Sequence, residues 1–238
     1  MSVEGERMRT FLLAVSATLV LAAPAGAATR NFGITGYTKI RVDGPFKVKV
    51  ATGVAPFARA SGSPQALDRV AVEVRGYTLV IQSSASSWGG YPGKDAGPVE
   101  ISVGSHELSN AWLNGAGSLA IDRVNGLAFS LAVQGSGAAE IADVAADRMN
   151  VSLIGTASAK LAGKTAKLTA LLRGISTLDA ASLDSRDATI GAEGSATVDA
   201  TVSNTASVDA SGAATIRLAG RPSCTLSVKG STSVSGCR

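Results

Sequence analysis

The chain has 238 residues, 27 of them glycine, and only 4% aromatic residues. Small side chains on that scale suit repeated backbone stacking better than a bulky globular core, and the length fits one domain or one with a small companion. The net charge of +4 is scattered over the chain; nucleic acid would need a concentrated basic face, so that partner is excluded.

Residues 1–27 read as a signal peptide. Arg7 and Arg9 supply the positive start, Phe11 to Ala23 form the apolar run, and Pro24 precedes the small-residue site Ala25-Gly26-Ala27. The apolar run is too short for an ordinary membrane-spanning helix, so cleavage near Ala27 is expected, from a start at Met1 or Met8. The mature chain is then expected to be periplasmic or secreted and not membrane-spanning.

Residues 28–108 are expected to form an N-terminal β cap with the first, irregular coils. Lys39 to Val42, Phe46 to Val50, Val70 to Val74, Thr78 to Gln82 and Val99 to Val103 are short alternating runs between glycine-marked turns. Ser83 to Pro98 is the one long loop, carrying Trp88, Tyr91, Lys94 and Asp95. Long loops in compact repeat proteins are uncommon and often functional, so these four residues are candidates for ligand binding. Trp112, on a strand, is expected to pack under that loop.

Residues 109–238 repeat. Glycines stand at Gly115, Gly135, Gly155, Gly174, Gly194, Gly212 and Gly230, at steps of 18 to 20 residues. Two and four residues before each glycine, and four after, the side chains are apolar, as in Leu153, Val151 and Ala159 around Gly155. Alternation on both arms is strand periodicity. Each repeat is thus a strand, a glycine corner, a second strand and a variable return. One such unit cannot bury its own apolar side, so successive coils must stack. The fold class expected is all-β: a parallel β-helix or solenoid of about seven coils, right-handed by the crossover rule. Six steps of strand spacing make a rod of about 29 Å.

Two outward columns follow from the same alignment. Five residues after the glycine stand Ala120, Glu140, Lys160, Asp179, Asp199, Arg217 and Ser235. Stacking brings Asp179 and Asp199 to about 5 Å, the separation of a retaining glycosidase pair. With Lys160 and Arg217 flanking them, a charge ladder is the expected reading, since opposite charges on neighbouring strands stabilise modestly. Five residues before the glycine, Asn110, Ser130, Asn150, Thr169, Thr189, Ser207 and Thr225 make a polar strip. His106 is the single histidine and has no nucleophile-elbow serine to serve. No calcium-binding nonapeptide series and no phosphate-cradling glycine loop occurs, so neither a metal nor a cofactor is expected.

Cys224 and Cys237 are the only cysteines. In an oxidising compartment they read as a disulfide that stabilises by about 3 kcal/mol through closure of a loop of about 14 residues. Strict alternation points Cys224 inward and Cys237 outward, so the last strand must bend to join them.

The N-terminal hairpin-like segment, the Trp88 loop and the reiterated Gly115-Ala116-Gly117 and Gly135-Ser136-Gly137 corners resemble the head-GIN-domain family of putative auto-transporter adhesins, from Tyr37 to Gly236. The resemblance implies a β-helical solenoid on an exported protein and brings no catalytic residue. An auto-transporter also needs a C-terminal membrane barrel, and the repeats here run to Gly236, so self-export by that route is not expected. The function expected is a non-catalytic binding or scaffold protein of the cell envelope, adhesin-like, contacting glycan or protein. A polysaccharide lyase or glycoside hydrolase on a β-helix, and a purely structural envelope protein, are the alternatives.

Overall fold

The structure is a computed structural model that describes residues 28–84 and 97–238. The expected signal peptide and its cleavage site lie outside the described residues. No helix of the described residues is long and apolar enough to cross a membrane.

The repeats form a parallel solenoid. Its coils are β8 Asn110–Gly115, β9 Ser118–Gly135, β10 Ala138–Gly155, β11 Ser158–Gly174, β12 Thr177–Gly194 and β13 Thr197–Gly212, then β14 Thr215–Ala219, β15 Ser223–Gly230 and β16 Ser233–Ser235. Every neighbouring pair is parallel and one repeat apart, as in Val151↔Ala170 and Glu140↔Lys160. The aligned apolar columns are the core: Leu113, Val133, Leu153, Leu172 and Ala192 are all fully buried. The solenoid makes about six turns, one fewer than expected, because seven corner glycines enclose six intervals.

The corners explain the glycines. Gly155 and Gly174 have φ of +98° and +95°, a region that side chains other than glycine reach only at a cost. A Cβ on Gly155 would lie 2.7 Å from the Gly135 carbonyl oxygen, which is where the Thr156 N–H donates, at 2.9 Å. Backbone thus stacks on backbone at each corner. Two residues on, the small side chain turns inward. Ser176 is buried, and its hydroxyl lies within donating distance of the carbonyls of Arg173 (3.0 Å), Gly155 (3.3 Å) and Leu153 (3.4 Å).

The expected variable return is itself a paired side of the coil. Val124 faces Val144, and Gly163 faces Leu183, while Val124, Val144, Leu183 and Val202 are buried. Differences in coil length are absorbed here as register shifts, between Ile141 and Val144 and between Ala180 and Asp184. The apolar period weakens in this stretch, so sequence alternation did not reveal the third side.

The N-terminal segment joins the solenoid out of sequence order. Its elements are β1 Ala28–Phe32, β2 Lys39–Asp43, β3 Lys47–Thr52, β4 Phe57–Gly62, α1 Pro64–Asp68, β5 Val70–Arg75, β6 Thr78–Ser83 and β7 Glu100–Ser105. β2 lies between β6 and β8, and β3 between β7 and β9, all parallel. The first coil is therefore the second layer; the chain runs outside it through β4 to β7 and then returns to the inner side as β8. Antiparallel strands finish that end, β5 on β6 and β1 on β4 on β7, which pairs edges that would otherwise be open.

At the other end Cys224 and Cys237 are bonded, with Cα atoms 5.7 Å apart. Alternation alone would have separated them. Gly236, at φ +93°, turns the chain after β16 and brings Cys237 round to β15.

Candidate binding face

The strands hold their outward side chains in register. Glu140 stands beside Lys160, Lys160 beside Asp179, Asp179 beside Asp199, and Asp199 beside Arg217. The column predicted from sequence is thus assembled, and it continues past Ala120 to Lys49. Only its end closes tightly. Arg217 Nε and Nη2 donate to the two oxygens of Asp199 at 2.5 and 2.8 Å, the bidentate geometry that fixes a carboxylate. That bond, and then the carboxylate charge, push the Arg217 pKa up. Asp179 Oδ1 accepts instead from the Ala181 backbone N–H at 3.3 Å.

A glycosidase pair needs one protonated acid and one free carboxylate flanking a substrate. Here one partner is bound at both oxygens by a guanidinium. The trough beside the other is lined by Glu140, Lys160 and Asp179 among small residues such as Ser118, Ala120 and Thr177, with no aromatic side chain among the described residues that line it. Among the described residues no group of His, Cys, Asp and Glu is placed to hold a metal ion. His106 is exposed on a turn, where its carbonyl accepts from the Gly53 N–H at 3.1 Å.

The polar strip is also in register, from Asn110 beside Ser130 to Ser207 beside Thr225. Asn150 Nδ2 lies 3.4 Å from Ser130 Oγ. At its edge Asp187 accepts from Thr205 Oγ1 at 2.6 Å, Asn204 Nδ2 at 2.7 Å and Arg186 Nε at 3.0 Å. Those bonds, Thr205 first, hold its carboxyl down at about 2.

Trp88, Tyr91, Lys94 and Asp95 lie outside the described residues. β6 and β7, which flank them in sequence, both belong to the outermost layer of the stack. Gln82 aligns with Asp43 and so with Asn114, while Glu100 aligns with Lys47 and so with Ser118.

A third outward column was not anticipated as a site. Trp112 sits three residues before its corner glycine, between two buried neighbours, so alternation turns its indole outward. It is half-buried, next to Arg41 on β2 and Ala132 on β9. Arg41, Thr78, Trp112, Asn114 and Gln134 line an open depression of about 450 Å³. Arg41 Nε reaches the two oxygens of Asp43 at 3.0 and 2.8 Å, and Asn114 Nδ2 donates to Asp43 Oδ1 at 2.6 Å. The signal was available: the same alignment that buries Leu113 and Ala111 leaves Trp112 on the outer face.

The fold recurs in solved structures. A "putative adhesin" from Bacteroides fragilis superposes with a TM-score of 0.81 at 18% identity, over 89% of this chain and 97% of that one. A "putative lipid binding protein" from Parabacteroides distasonis gives 0.70 at 20% identity, over 88% and 96%. A "putative adhesin" from Parabacteroides merdae gives 0.64 at 15% identity, over 88% and 95%. At these identities the likeness is one of fold. No curated protein matches the chain. Residues 36–222 match the family described as "Putative auto-transporter adhesin, head GIN domain", and with most of its length so matched the chain belongs to that family.

Proposed function

We propose that this protein is an exported, non-catalytic binding protein of the cell envelope that uses its solenoid surface to hold glycan or protein. The observation that carries the reading is the strict register of the outward columns. The polar strip from Asn110 to Thr225 in particular makes a rigid surface in which chemically similar groups recur at strand spacing, about 4.8 Å, as a repetitive partner requires. The Asp199–Arg217 bond, which occupies one half of the Asp179/Asp199 pair, speaks against hydrolysis by that pair. The disulfide fits an oxidising compartment, periplasmic or extracellular. Trp88, Tyr91, Lys94 and Asp95 would add a second contact, and the family's adhesin name fits the same role.

Immobilised mature protein is incubated with envelope polysaccharides and envelope proteins, and both retention and released products are measured. Retention without turnover is the expected result. Sugar release that disappears in the Asp179→Asn/Asp199→Asn double variant would replace this reading with a glycoside hydrolase, and absence of any retention would leave a structural component.

A further inference from the structure

We infer that Trp112, with Arg41, Asn114 and Gln134, forms a subsite for one neutral pyranose ring of a glycan. The inference rests on the binding reading above and gives it a place and a ligand chemistry.

Three adjacent strands each contribute two outward positions. β2 supplies Arg41 and Asp43, β8 supplies Trp112 and Asn114, and β9 supplies Ala132 and Gln134, aligned Arg41↔Trp112↔Ala132 and Asp43↔Asn114↔Gln134. The lattice measures about 10 Å across the strands and 7 Å along them. The small Ala132, and Ser152 aligned with it in the coil beyond, leave the surface low on one side of the indole.

The polar groups are fixed in a way that suits hydroxyls. A carboxylate only accepts, so the amide nitrogen of Asn114 must face Asp43. Its Oδ1 is thereby held as an acceptor. Arg41 spends Nε on Asp43 and keeps its Nη groups as donors. Gln134 is exposed and offers both. Donors and acceptors therefore flank one aromatic face, which matches a ring whose apolar face carries C–H bonds and whose rim carries hydroxyls. The charge of Arg41 is balanced by Asp43, so an anionic ligand gains little, and a neutral sugar is favoured.

Calorimetric titration of the mature protein with neutral tetrasaccharides, cellotetraose and chitotetraose, measures the affinity; heparin fragments are the anionic comparison. Trp112→Ala is expected to weaken the neutral sugar about tenfold or more, the range for a Trp anchor. Trp112→Phe, which keeps an aromatic face, is expected to recover most of it. Unchanged affinity in a folded Trp112→Ala variant overturns the subsite while leaving the broader binding reading in place. So does loss of affinity in Trp88→Ala with Trp112→Ala unaffected. Binding of heparin alone, or of neither sugar class, overturns the neutral-pyranose assignment. Failure of the broader reading shows separately, as product or as absence of all retention in the assay on envelope polysaccharides and proteins.

Discussion

Asp187 and Tyr37 show two ways in which this fold treats a polar side chain. Tyr37 is buried, its hydroxyl is the one buried side-chain polar atom among the described residues without a partner, and burial pushes its pKa up. Asp187 stays at the surface and gathers three donors instead. Its folded-state pKa is lowered from 3.8 to about 2, so its stabilising contribution is present above the ordinary carboxylate value and is lost as pH falls through the folded one. Asp187→Asn is therefore expected to lower the Tm at neutral pH, with the gap from wild type closing between those two values. Thermal melts of both proteins across that range check it; a constant gap at all pH values would show that charge is not the cause.

At the scale of the element, the corner decides which substitutions the coil tolerates. Gly174 combines φ of +95° with a Cβ position 2.7 Å from the Gly155 carbonyl oxygen. Gly53 has a comparable φ of +74° and nothing within 4 Å. Gly53→Ala is expected to cost about 1–2 kcal/mol, the backbone penalty alone. Gly174→Ala adds a collision with unyielding backbone and is expected to cost about 3 kcal/mol or more. Denaturant unfolding of the pair separates the two contributions; equal losses would mean that the corner is slack. The same packing explains the small residues that follow each glycine, because Ala157, Ser176, Ala196 and Ala214 are each about 1% exposed.

The whole molecule is a one-dimensional stack, in which each coil is held by its neighbours and stability is close to a sum of local terms. Its two ends differ. β1, β4 and β5 pair the edges at one end, while β15 at the other leaves Leu226 and Val228 48% and 41% exposed, in columns that are buried in every inner coil. The disulfide ties β15 to the residues after β16. Cys224→Ser/Cys237→Ser is expected to lose about 3 kcal/mol in the chain-entropy model. Hydrogen-exchange protection should fall across β14 to β16 and stay unchanged from β9 to β11, because disorder in a stack begins at its free end. Uniform loss of protection along the chain would contradict local coupling.

Periodicity alone determined the coils of the repeat region. Glycine at fixed steps, flanked by alternating apolar residues, admits one economical burial, and the register of the Glu140, Lys160, Asp179, Asp199 and Arg217 column follows from it. Trp112 was legible as an outward residue by the same rule, but its partners were not. Arg41 lies 71 positions from Trp112, and only the passage of β4 to β7 outside the first coil brings them together. The cysteine pairing was legible and its geometry was not, since one glycine after β16 overrules the alternation. Spacing along a chain reports contacts that recur at its own period; contacts made by a segment that leaves and re-enters the stack have no period, and only the folded arrangement decides them.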